Sequence, residues 1–182
     1  MSAVLKEEIP DNHFVFRSIR YSGWSKQNKK RPQEACFSPI PDGLSVNWEK
    51  HCELENVFVI LGSSKNIGNG KYKDFREFKA IKFKVAEIRN IQLLEPFEID
   101  VIHDPQPDNY SHSLVRYDEN SEEIRIKLAD IVEAQYDLIV FKPTDHDSIE
   151  TKIQEIRKKE AEALLRLGDN QQSEELEEKP LD

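Results

Sequence analysis

The chain has 182 residues, of which 37% are hydrophobic and 34% charged, with a net charge of −9 at pH 7. That length suits one core with an appendage, and the lack of any run of about 18 apolar residues excludes a transmembrane helix from the reading. The acidic balance argues against bulk nucleic-acid affinity, although residues 12–33 carry six cations and no acid, while Gly168–Asp182 carry six acids and one lysine.

Residues 1–12 lack an apolar h-region and read as an N-terminal arm rather than a signal peptide. Cys36 and Cys52 are a lone pair and read as reduced thiols, which points to the cytoplasm. An α+β domain is expected over residues 13–142. Its first strand is "HFVFRSIRY". Val15, Arg17 and Ile19 share one face and Phe14 and Phe16 the other, so this reads as a central strand covered on both sides. "SGWSKQNKKRPQ" reads as a solvated basic loop, and "FSPIPDGLSVNW" as a turn leading into a short strand. "ELENVFVILGSS" is ambiguous, with its β-branched run leaning to strand. "NIGNGKYKD" reads as a surface loop.

The alternation of Ile81, Phe83 and Val85 with Lys82, Lys84 and Ala86 makes "FKAIKFKVAEI" the clearest strand. "FEIDVIHD" follows, with Phe97, Ile99, Val101 and His103 on one face, and "SHSLVRY" is the next strand. "NSEEIRIKLADIVEA" reads as a helix with Asn120 and Glu123 as a capping box and a stripe of Ile124, Leu128, Ile131 and Val132. "YDLIVFK" is expected to return as a strand. A C-terminal helix is expected over 147–168, stopped by Gly168, and residues 169–182 as a disordered acidic tail. The whole reads as a mainly antiparallel sheet with one packed helix and the C-terminal helix.

Candidate site residues come from polar groups in otherwise apolar or extended segments. Arg17 lies between Val15 and Ile19 and needs an anion or several acceptors, since an unpaired buried guanidinium costs several kcal/mol. A carboxylate such as Glu98 or Asp100, or a bound phosphate or carboxylate ligand, would satisfy it. Ser45 and Asn47 share one side of their strand, with Trp48 as a possible stacking surface on the other. His112, between Ser111 and Ser113, is the candidate acid, base or ligand contact. His13 joins Arg17 on the first strand. His103, Asp104 and His112 are metal-ligand types but match no ligand spacing, so no metal is expected. Lys29, Lys30 and Arg31, near Tyr21 and Trp24, form a weak nucleic-acid candidate. The stripe of the C-terminal helix suggests a protein partner or self-association.

The order "FVFRSI", "FSPIPDGLSVNW", "VAEIRNI", "HDPQPDNYSH", "IRIKLADIV" resembles a small group of poorly characterised bacterial proteins over about residues 10–134. Fainter still is a similarity to RES-type and ADP-ribosyltransferase-like NAD-processing domains. It implies that Arg17 holds phosphate and Ser45 lines a nicotinamide pocket, with NAD as cofactor. The glycine-rich, tryptophan-containing RES signature is not reproduced. The expectation is therefore a bacterial accessory protein that binds a partner or small anionic ligand, with a toxin, immunity or defence operon implied by the resemblance. An NAD-processing enzyme and nucleic-acid contact through residues 26–31 are the alternatives.

Overall fold

The computed structural model describes residues 7–39, 43–66, 68–94, 98–118 and 121–177. Its centre is a six-stranded antiparallel sheet of β1 (Phe14–Arg20), β2 (Leu44–Trp48), β3 (Phe78–Lys84), β4 (Asp100–His103), β5 (His112–Arg116) and β6 (Val140–Phe141), in the order β4-β5-β2-β1-β3-β6. The helices are α1 (Leu54–Ser63), α2 (Val85–Arg89), α3 (Glu122–Ile139) and α4 (His146–Glu177). This is the expected α+β class. Among the described residues no helix is long and apolar enough to cross a membrane.

β1 is the central strand its two apolar faces imply. Val15 and Ile19 join Val46, Trp48, Ile81, Phe83, Val101 and Val115 in one core, closed by Ile124, Leu128 and Val132 of α3. Phe16 and Ala80 look the other way, onto Val57 and Phe58 of α1 and Ile149 and Ile153 of α4. The layers are therefore α3, sheet, then α1 with α4. Each such side chain contributes about 1.5–3 kcal/mol by leaving water.

Several elements differ from their local pattern. "ELENVFVILGSS" is helix, not strand. Burial of Val57, Phe58 and Gly62 against the sheet and α4 outweighs the β-leaning of its valines. The chain leaves β3 at Lys84, where Val85 N donates to His13 O (2.9 Å) and Ala86 N to Asp11 O (3.0 Å), so Val85–Arg89 coil into α2. α3 is capped by Ser121, whose Oγ accepts from Ile124 N (3.4 Å). The expected cap Asn120 lies outside the described residues, as does Phe97. The strand expected over 136–142 shrinks to β6, because α3 passes a non-helical turn at Gln135 and continues to Ile139, which is buried.

α4 is not stopped by Gly168. A glycine costs a helix only about 1 kcal/mol relative to alanine, and α4 runs on through it to Glu177. Of the tail expected to be disordered, residues 169–177 continue this helix and 178–182 lie outside the described residues. The first half of its stripe is already used. Ile149 and Ile153 are buried and Ile156 half-buried against α1, so its partner over this stretch is its own domain.

Gly43 leads into β2 with φ +132°, a backbone state side chains disfavour, and a Cβ there would lie 3.0 Å from Val115 O. The N-terminal arm is not loose where it is described: Glu8 pairs antiparallel with Ile102, and Ile9 is fully buried.

Candidate functional site: a polar cleft over the sheet

β1 and β2 form a ladder at Val15–Trp48 and Phe16–Asn47. Beyond it Arg17 takes the acceptors. Its Nη1 donates to Ser45 O (2.9 Å) and its Nη2 to Cys36 O (3.1 Å), while Nε is buried without a partner. Among the described residues no carboxylate reaches it. The expected partners are elsewhere: Asp100 lies 3.7 Å from Arg89, and Glu98 is exposed. Burial pulls the Arg17 pKa below the ordinary arginine value, and a guanidinium remains charged at neutral pH even so.

Arg17 lines a cleft of about 770 Å³. The sheet contributes Phe16, Ser18, Ser45, Asn47 and His112. The end of α1 contributes Ile60, Leu61, Ser63 and Ser64. Lys65 and Lys73 come from the following loop, Gln106, Asp108 and Asn109 from the turn before β5, and Ile156 and Glu160 from α4. The strand period explains the sheet wall. Asn47 is paired with His112 across β2 and β5, and directly paired residues share a face.

Lys73 is the second cation. It is half-buried, and burial, followed by the charge of Arg17, lowers its pKa. Among the described residues no carboxylate pairs with its ammonium. Ser63 Oγ, also on the wall, is buried with no hydrogen-bond partner. Asn47 is fixed from the side: its Oδ1 accepts from Asn109 Nδ2 (2.8 Å) and Ser111 Oγ (3.1 Å).

His112 Nδ1 lies 2.8 Å from Asp104 O, an acceptor, so Nδ1 carries the proton and the Nε2 lone pair is left for another partner. Asp104 Oδ2 stands 3.6 Å from the same Nδ1. No hydroxyl or thiol among the described residues is bonded to His112.

Four of the five expected ligand contacts, Arg17, Ser45, Asn47 and His112, thus line one cleft. His13 does not. It lies by the opposite face, where its Nδ1 accepts from Trp48 Nε1 (3.0 Å). Trp48 is itself core, 1% exposed, and offers no stacking surface. His103 also faces that core, paired with Ser113 rather than His112, so the two histidines cannot share an ion. Lys73 and Ser63 were not legible as site residues, because nothing local in "GSSKNIGNGKYK" distinguishes them from an ordinary loop.

Two cations of the basic loop, Lys30 and Arg31, are ion-paired, while Lys26 and Lys29 are exposed. Arg31 bonds Asp130, Glu133 (3.0 Å) and Glu34 (2.9 Å), and Lys30 bonds Asp137 (2.7 Å), so the loop is pinned to the acidic face of α3. Trp24 is buried over Lys79, whose Nζ sits 4.0 Å from the ring centroid and donates to Tyr136 Oη (2.8 Å).

Neither a family model, nor a curated protein, nor a solved structure matches the chain.

Proposed function

We propose that this protein binds a small anionic ligand, bearing a phosphate or carboxylate group, in the cleft over β1, β2 and β5. The observation that carries this reading is the presence of two desolvated cations, Arg17 and Lys73, on one cleft, neither of them ion-paired to a carboxylate among the described residues, although Asp108 and Glu160 also line the cleft. Two like charges withdrawn from water repel, and a bound anion offsets that repulsion by attracting both. Ser63 Oγ and Arg17 Nε supply polar atoms lacking partners. Ser45, Asn47 and His112 line the same cleft with groups suited to hydroxyls or amides of the ligand.

The test is a thermal-shift and calorimetric panel of inorganic phosphate, citrate, mononucleotides and NAD on the full chain. A true ligand at a hundredfold excess over Kd should raise Tm by about 5–10 °C. Lys73→Glu should weaken binding at least tenfold, and Lys84→Glu, a charge-matched change at an exposed position, should not. If no member of the panel raises Tm, or if both variants respond alike, the reading fails.

A second reading, an NAD-processing enzyme, is favoured by Arg17 and Ser45 lining one cleft, as the resemblance implies. It predicts consumption of NAD by the wild-type chain. Binding of NAD without turnover would leave the ligand-binding reading standing and end the enzymatic one.

A further inference from the structure

On the other face of the sheet, three chain segments bring together Glu7, His51 and His103. We propose that these residues form a binding site for a first-row divalent cation of the zinc class.

His103 ends β4 and is 1% exposed. Its Nε2 lies 2.7 Å from Tyr110 O, an acceptor, so Nε2 carries the proton and Nδ1 is a bare lone pair. That Nδ1 is buried and has no hydrogen-bond partner among the described residues. A metal-binding histidine is normally held this way, with its other nitrogen donating to a carbonyl or carboxylate. His51 closes the 3₁₀ turn that follows β2. Its ring stacks on that of His103, with centroids 5.2 Å apart and planes 23° apart. Its Nε2 is likewise buried, with no well-formed hydrogen bond among the described residues. It lies 3.3 Å from Glu7 Oε1 without reaching hydrogen-bond geometry. Glu7 is placed by the Glu8–Ile102 bridge, whose antiparallel register sets Glu7 opposite His103.

One ligand atom from each residue lies within 4.8 Å of the other two. Around a tetrahedral zinc, with bonds of about 2.0–2.2 Å, such atoms stand about 3.3 Å apart. The contraction falls to Glu7, whose side chain is 32% exposed, and to the rotation of His51. Two imidazoles and one carboxylate suit zinc and its neighbours, and leave a position for water. Trp48 and Tyr110 each present a ring to both histidines, walling the pair from solvent. Among the described residues, Lys50 is the cation bonded to the cluster. It bonds Glu7 Oε2 and leaves Oε1 toward His51. Two buried ring nitrogens without a well-formed hydrogen bond among the described residues are costly, and a cation satisfies both.

This site lies on the face opposite the anion cleft and does not depend on it. The full chain, stripped with a chelator, is titrated calorimetrically with Zn²⁺ and, separately, with Co²⁺ while visible absorption is recorded. One Zn²⁺ should bind per chain and raise Tm, and Co²⁺ should develop a ligand-field band. His51→Ala and Glu7→Gln should each weaken Zn²⁺ binding at least tenfold and abolish the band, whereas His112→Ala should leave both unchanged. His103→Ala removes a buried ring, and if it fails to fold, the His51 and Glu7 variants decide. Absence of stoichiometric binding, or equal affinity in wild type and both variants, would overturn the site.

Discussion

Arg17 keeps its charge without a carboxylate because its two Nη groups are held by the carbonyls of Ser45 and Cys36. Held in this way, the guanidinium stands as a fixed positive group lining the cleft. Cys52 shows the opposite response to burial. It is 3% exposed, and burial pushes its thiol from 9.0 to about 11. Above pH 9 the unfolded thiol therefore loses its proton while the folded one keeps it, and the unfolded state binds fewer protons. Stability falls as pH rises through this window, by about 2–3 kcal/mol by pH 11 from this residue. Tyr117, pushed up to about 12 by burial, acts in the same direction at higher pH. Urea denaturation between pH 8 and 11 should show this loss, and Cys52→Ala should flatten it. An unchanged slope in the variant would assign the loss to other groups.

Among the elements, the α1–α4 pair rests on one close approach. A Cβ on Gly62 would lie 2.2 Å from Ile153 Cδ1, and Arg157 Nη2 donates to Gly62 O (2.7 Å). Gly62→Val should overpack this contact and cost about 1–3 kcal/mol. Ile153→Ala should cost about 2–5 kcal/mol by leaving a cavity in the second core. Both are read from denaturation midpoints. The far-ultraviolet helix signal at zero denaturant should be retained, since α1 and α4 are helices on either side of the contact. The apolar stripe of α4 was visible in the spacing of Ile149, Ile153 and Ile156, but not what it faced. The helix α1 was not visible, because Val57, Phe58, Val59 and Ile60 satisfy a buried strand and a buried helix equally. The basic loop shows the same limit. Its lysines and arginines read as solvated, and only the packing of α3 places Asp130, Glu133 and Asp137 beneath them.

At the scale of the molecule, the N-terminal segment belongs to the fold. Ile9 is fully buried in the main core. Arg89 Nη1 donates to Ile9 O (2.9 Å) and to Asp11 Oδ1 (2.7 Å), while its Nη2 donates to Val101 O (3.0 Å), tying this segment to α2 and β4. Deleting residues 1–12 should therefore cost at least the burial of Ile9, about 2–5 kcal/mol. Urea denaturation of the truncated chain would show it as a lower midpoint. A midpoint equal to that of the full chain would make the segment a dispensable arm.

The sequence by itself determined that β1 is covered on both sides, since apolar residues occupy both of its faces. It determined that α3 has one buried stripe and that Arg17 needs acceptors. These follow from periodicity and from the cost of desolvating charge, both local properties. Only the tertiary structure decided that the acceptors are carbonyls, that Lys73 shares the cleft, and that Glu7, His51 and His103 converge. Periodicity assigns a side chain to a face, but which chain segment arrives opposite that face depends on strand order and helix packing, set by the burial of the whole core.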